Sequence, residues 1–187
     1  MDVFLLALIL TFLIALGGRE QLIIAQFSTA TGRDVPLLII GIACAAVTAA
    51  VMAYAGASLA AILPRRAAEM LVAFALIAAA VELAWPVKIK PMQEPTRSYV
   101  AIGAVVVFRQ MQDAARFAIF ALGAWAVFPT TALLGGAIAG VAAVILGWSL
   151  GLDALKKMPL RTIRLVFALC AGISGIVIGL NARFQFL

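Results

Sequence analysis

Two short polar knots interrupt otherwise apolar stretches: Ala15-Leu16-Gly17-Gly18-Arg19-Glu20-Gln21 and, 95 positions further on, Gln110-Met111-Gln112-Asp113-Ala114-Ala115-Arg116. An ionisable side chain inside a long apolar run is costly enough to be read as functional or tightly paired. The carboxylates of Glu20 and Asp113 are the groups that could carry a proton or ligate a cation. Around them stand the amides of Gln21, Gln110 and Gln112 and the guanidinium groups of Arg19, Arg109 and Arg116. The chain contains no histidine, so imidazole metal ligands are excluded and carboxylates are the only ordinary proton carriers.

The surrounding chain determines what these knots mean. Of 187 residues, 66% are hydrophobic and 12% charged, with a mean hydropathy of +1.17. A soluble domain is about half apolar and about a quarter charged, so this is an integral membrane protein. The run from Val3 to Gly17 imitates a signal peptide, but Asp2 stands where a basic region belongs and the apolar pattern resumes after Glu20. It reads as a retained transmembrane helix.

The net charge of +6 does not point to nucleic acid. Most basic residues lie in or beside the short loops and the tail, a placement that sets topology. Cys44 and Cys170 are single and lie within apolar helices, as buried small hydrophobes would.

A bilayer core takes about 20 helical residues to cross, and six segments qualify. They run from about Val3 to Ala30, Pro36 to Leu63, Ala67 to Trp85, Ser98 to Phe128, Thr130 to Leu152, and Thr162 to Leu180. The fold class expected is therefore all-α, with six transmembrane helices. Residues 1–85 form a first three-helix unit, 86–97 a polar cytoplasmic linker, and 98–187 a second unit.

The offset of 95 that relates the knots also pairs Gly41 with Gly136, Gly56 with Gly151, Pro64 with Pro159, and Arg66 with Arg161. One constant offset argues for an internal duplication. Three helices per unit make the second unit enter the membrane from the opposite side, an inverted repeat whose site typically lies near the midplane. Arg33, Lys88, Lys90, Arg97, Lys156, Lys157, Arg161 and Arg164 fall on one side, against Arg65, Arg66 and Arg183 on the other. By the positive-inside rule the first set is cytoplasmic and both termini face outward, in a multi-pass protein of a bacterial-type inner membrane.

The segment Phe12-Leu13-Ile14-Ala15-Leu16-Gly17-Gly18-Arg19-Glu20-Gln21-Leu22, with Pro36 and Leu63-Pro64-Arg65-Arg66, resembles the first repeat of the manganese and calcium cation/proton exchangers. Asp113, Phe128-Pro129 and Lys157-Met158-Pro159-Leu160-Arg161 are similar to the second. The resemblance covers nearly the whole chain. It implies two inverted repeats, manganese or calcium as the transported ion, and a cation held between the repeats by the acids of an E-x-G-D-[KR]-[ST] motif in each half.

Here Ala15 replaces the first glutamate and Gly18 the aspartate, while Gly17 and Arg19 fit and Glu20 takes the hydroxyl position. In the second half Gln110 replaces the glutamate, Gln112 the glycine, and Ala114 and Ala115 the last two positions; Asp113 fits. Asp113 and Glu20 are thus the two metal-ligand candidates. Arg19, Arg109 and Arg116 against Glu20 and Asp113 give the knots a net charge of +1, which repels a divalent cation. Hard cations also want several oxygen ligands.

Arg109 and Arg116 lie four before and three after Asp113, so on an unbroken helix the three share a face as a self-neutralising cluster. The competing reading makes Asp113 the acid of a transport site. Glu20 is expected to pair with Arg109 or Arg116, and Arg19 with Asp113, with Gly17 and Gly18 as a hinge in the first helix. Glu82, one turn before Pro86, reads as an interfacial charge. The glycines at 135, 136, 140, 147, 172, 175 and 179 read as close helix packing, and Trp85, Trp125 and Trp148 as interfacial anchors.

Three functions follow: a secondary transporter of the cation/proton type, a transporter or channel for an anion or zwitterion using the positive midplane, and a non-transporting membrane scaffold. An enzyme is not expected. The partners expected are the lipid bilayer and a small ion, with a second copy of the chain as a further candidate.

Overall fold

The structure, a computed structural model, describes residues 2–87 and 98–184. Among these described residues eight helices follow in order: α1 Asp2–Ala15, α2 Arg19–Thr31, α3 Val35–Ile62, α4 Arg65–Ala84, α5 Tyr99–Met111, α6 Ala114–Trp125, α7 Pro129–Lys156 and α8 Leu160–Phe184. No strand occurs among the described residues. Residues 88–97, the greater part of the expected linker with Lys88, Lys90 and Arg97, lie outside them.

Four helices, α3, α4, α7 and α8, are each long and apolar enough to cross a membrane. The segments expected as the first and fourth helices are instead each broken at their polar knot. α1 and α2 meet at a bend of 58°; taken together as one bent span they bring the count of candidate spans to five. α5 and α6, of 13 and 12 residues, are each too short to cross alone.

The breaks have local causes. Gly17 has φ +70°, a left-handed conformation that ends α1 and that glycine adopts without steric cost. Asp113, in extended conformation, caps α6 by accepting from the Ala115 amide at 3.5 Å. An aspartate that bonds the backbone in this way favours a helix start over a helix interior. Asp113 therefore has no intrahelical face in common with Arg109, and the cluster expected on an unbroken helix does not form.

Contacts recur at the offset of 95. α1 packs on α7 and α5 on α3; α2 packs on α7 and α6 on α3; α3 meets α7, and α4 meets α8. Side chains repeat the pattern. A Cβ on Gly41 would meet Ile24, and one on Gly136 would meet Ile119; Gly56 abuts Ala124 and Gly151 abuts Thr29. Most of the glycines expected to pack helices do so closely: Gly135 lies against the Phe4 carbonyl, Gly147 against that of Gln21, and Gly175 against that of Ala73.

The largest departure from the pattern lies at one seam. α4 packs extensively on α6, through Val72, Ala75 and Ala121, whereas α8 and α2 make no contact of comparable extent among the described residues. On the α2–α8 side there is instead a crevice of about 300 Å³ that reaches from Lys156 and Arg161 to Gly17 and Arg164.

Trp85 and Trp125 are exposed at helix ends, as expected of anchors. Trp148 does more, since its indole donates to the Asp34 carbonyl at 3.1 Å and ties α7 to the α2–α3 turn. Cys44 is buried, but Cys170 is exposed on α8, against expectation.

Candidate functional site

Both helix breaks lie in the protein interior and touch. A Cβ placed on Gly18, the N-cap of α2, would meet Asp113 Oδ2 at 2.9 Å. Glycine at position 18 thus makes room for the carboxylate that caps α6. Asp113 is 1% exposed, and its Oδ2 has no hydrogen-bond partner among the described residues.

Glu20, on the first turn of α2, is held from two sides. The Gln110 amide donates to Oε1 at 2.6 Å and Arg116 Nη2 donates to Oε2 at 3.0 Å. Arg116 also donates through Nε to Thr48 Oγ1 at 2.8 Å, and the Thr48 hydroxyl lies 2.8 Å from Gln110 Oε1. The ring Glu20, Gln110, Thr48 and Arg116 joins α2, α5, α3 and α6. Arg116 is wholly buried beside Gly140, and its Nη1 has no partner among the described residues.

Gln21 supports the first break by accepting from the Gly17 amide at 2.7 Å, and it donates to the Ala143 carbonyl of α7 at 3.4 Å. Gln21 and Arg116 are related by the offset, as are Ala143 and Thr48. Each half thus sends one polar side chain from its second short helix to the same register on the long helix of the other half.

A second group lies on the other side of Asp113. Glu82 is 7% exposed, so it is a buried charge and not the interfacial one expected. It pairs with Arg19 at 3.0 Å and with Arg164 at 3.2 Å, and accepts from the Ala114 amide at 3.3 Å. Arg164 also donates to the Gly17 carbonyl at 3.1 Å and to the Glu82 carbonyl at 2.9 Å. Arg19 therefore pairs with Glu82, not Asp113, and Arg164 leaves the loop count for the interior. A carboxylate four residues inside a predicted span was the available signal for Glu82. Arg164 and Thr48 offered less, one lying next to a basic loop and the other being a neutral residue in an apolar helix.

The remaining expected site residues lie elsewhere. Arg109, at the end of α5, is exposed and forms no ion pair among the described residues, and Gln112 is exposed at the rim of a crevice shared with Arg19 and Glu82. The charge balance changes accordingly. Arg19, Arg116 and Arg164 face Glu20, Glu82 and Asp113, so the ionised cluster is neutral, not +1. Each buried ion has an opposite charge nearby, as a low-dielectric interior requires.

Of the two metal-ligand candidates, Glu20 has both carboxylate oxygens engaged by Gln110 and Arg116. Among the described residues no group of three or more acidic, cysteine or histidine side chains is arranged to hold a metal ion. What the arrangement offers is unused hydrogen-bonding capacity among the described residues: an acceptor, Asp113 Oδ2, beside Gly18, and a donor, Arg116 Nη1, beside Gly140 of α7. Comparison of the chain with protein-family models, curated proteins and solved structures finds no match.

Proposed function

We propose that the protein is an inner-membrane secondary transporter of the cation/proton-exchanger type. In this reading α1 with α2 and α5 with α6 are broken spans, giving six spans in two inverted repeats with both termini outward. The observation that carries it is the meeting of Gly18 and Asp113, 95 positions apart, at two interior helix breaks surrounded by paired buried charges. Broken helices whose ends face one another are where transporters place substrate and coupling-ion sites.

The unequal packing of α4 on α6 and α2 on α8 supports the same reading. Two equivalent seams, one closed and one replaced by a crevice, are what alternating access between inverted repeats requires. The crevice opens at the α7–α8 turn beside Lys156 and Arg161, the end assigned to the cytoplasm. Without Arg164 the basic count is seven against three, which retains the orientation. Asp113 serves as the proton-exchanging carboxylate, and Arg116 and Glu20 as the pair whose geometry its charge influences.

Flux through purified protein in liposomes tests this. Ion gradients of monovalent cations, manganese, calcium and small anions are applied in turn, with internal pH followed by a dye. Saturable movement of a cation against protons is expected. Movement of anions alone would transfer the site to an anion transporter, and no movement of any solute would favour a scaffold.

A further inference from the structure

Arg164 holds an unusual set of partners for a salt-bridge residue. Its guanidinium spans the Gly17 carbonyl at the first helix break, the Glu82 carbonyl at the end of α4, which also accepts from the Trp85 amide at 3.2 Å, and both Glu82 carboxylate oxygens, its own four contacts lying at 2.9 to 3.2 Å. Carbonyls at helix ends together with a carboxylate are the oxygen donors that bind hard cations. Asp113 lies within electrostatic reach of both Glu82 and Arg164, and its buried Oδ2 is unpartnered among the described residues.

We propose that Arg164 is a tethered cation filling an oxygen-lined site at the first helix break, and that a small monovalent cation takes its place. The inference rests on the transport reading and names the substrate class of that site.

Charge selects a monovalent ion. With Arg164 in place the cluster of three acids and three arginines is neutral. Withdrawing the guanidinium leaves one negative charge, which a monovalent ion cancels and a divalent ion overshoots, leaving a buried charge uncompensated. The mouth residues Lys156 and Arg161 also repel a doubly charged metal twice as strongly. Room for the exchange is offered by the crevice of about 300 Å³ that Arg164 lines.

The test uses purified Arg164→Ala protein, with thermal unfolding followed in sodium, potassium, ammonium, manganese and calcium chlorides at matched ionic strength. At least one monovalent cation is expected to raise its Tm saturably, at concentrations at least tenfold below any that act on the wild type, where the tether competes. The shift should be lost in Arg164→Ala/Asp113→Asn, because Asp113 does not bond Arg164 and a purely structural Arg164–Glu82 pair would not need it. An equal response in the wild type, a larger response to manganese or calcium, or a response that persists without the Asp113 charge overturns the proposal. Should Arg164→Ala not fold, Arg164→Lys, which keeps the charge and loses the fork, is read by the same criteria at higher ion concentrations. Liposome flux separates the two claims. A monovalent response without any flux keeps the site and overturns transport, whereas flux of divalent metals against protons without a monovalent response does the reverse.

Discussion

Arg116 of α6 and Glu20 of α2 form an ion pair at 3.0 Å with both side chains buried, across 96 positions of sequence. The pair joins the two halves next to both helix breaks. Removing one partner of a buried pair strands the other at a cost of about 3 to 5 kcal/mol. Arg116→Ala is therefore expected to lower stability by about that much, and Arg116→Ala/Glu20→Gln to recover part of it. Denaturation of the purified single and double variants checks this; equal losses in both would remove Glu20 as the group that Arg116 satisfies.

Asp113→Ala has a smaller expected effect, because the arginine beside it is already paired with Glu20. The loss is that of a helix N-cap, about 0.5 to 2 kcal/mol. A loss as large as that of Arg116→Ala, measured in the same denaturation series, would mean that Asp113 is itself the main counter-charge of an arginine.

The seam between α3 and α6 leaves no room for side chains at two glycines. A Cβ on Gly56 would collide with the Phe120 carbonyl and one on Gly123 with that of Ala53, and backbone cannot turn aside as a side chain can. Gly56→Ala is expected to cost about 1 to 3 kcal/mol, more than Gly172→Ala, where an added Cβ would lie 3.5 Å from Ala80 Cβ, an ordinary contact. Comparable melting temperatures for the two variants would contradict the packing described.

Closing chemistry at the α4–α6 seam should stop transport. Cysteines at Ala75 and Ala121, which belong to one buried cluster, introduced after replacement of Cys44 and Cys170, are expected to cross-link and to abolish flux until the link is cleaved. Undiminished flux in the cross-linked protein would show that this seam need not open.

Much of this was legible in the chain. The composition pointed to membrane-spanning helices, the proline-marked turns placed the four long ones, and the offset of 95 aligned elements whose starts lie at about that spacing, as those of α3 with α7 and α4 with α8 do to within one residue. The knots were visible as ionisable residues in apolar surroundings. Partner choice was legible only in part: Glu20 pairs with Arg116, one of the two arginines expected of it, whereas Arg19 pairs with Glu82 and not with Asp113. Pairing Asp113 with Arg109 and Arg116 assumed a continuous helix, and the break at Asp113 moved Arg109 to the surface while sending Arg116 across to Glu20. Glu82 and Arg164 meet 82 positions apart, a distance that helical periodicity cannot see.

In the proposed transporter the carboxylate of Asp113 carries the exchanged proton at the meeting of the helix breaks. Asp113→Asn keeps the side chain's shape and capping oxygen and removes its charge, so the variant is expected to fold. Proton-coupled flux in liposomes, compared with wild type at matched amounts of folded protein, is expected to fall at least a hundredfold in Asp113→Asn. Flux at the wild-type rate in a folded variant would contradict the account.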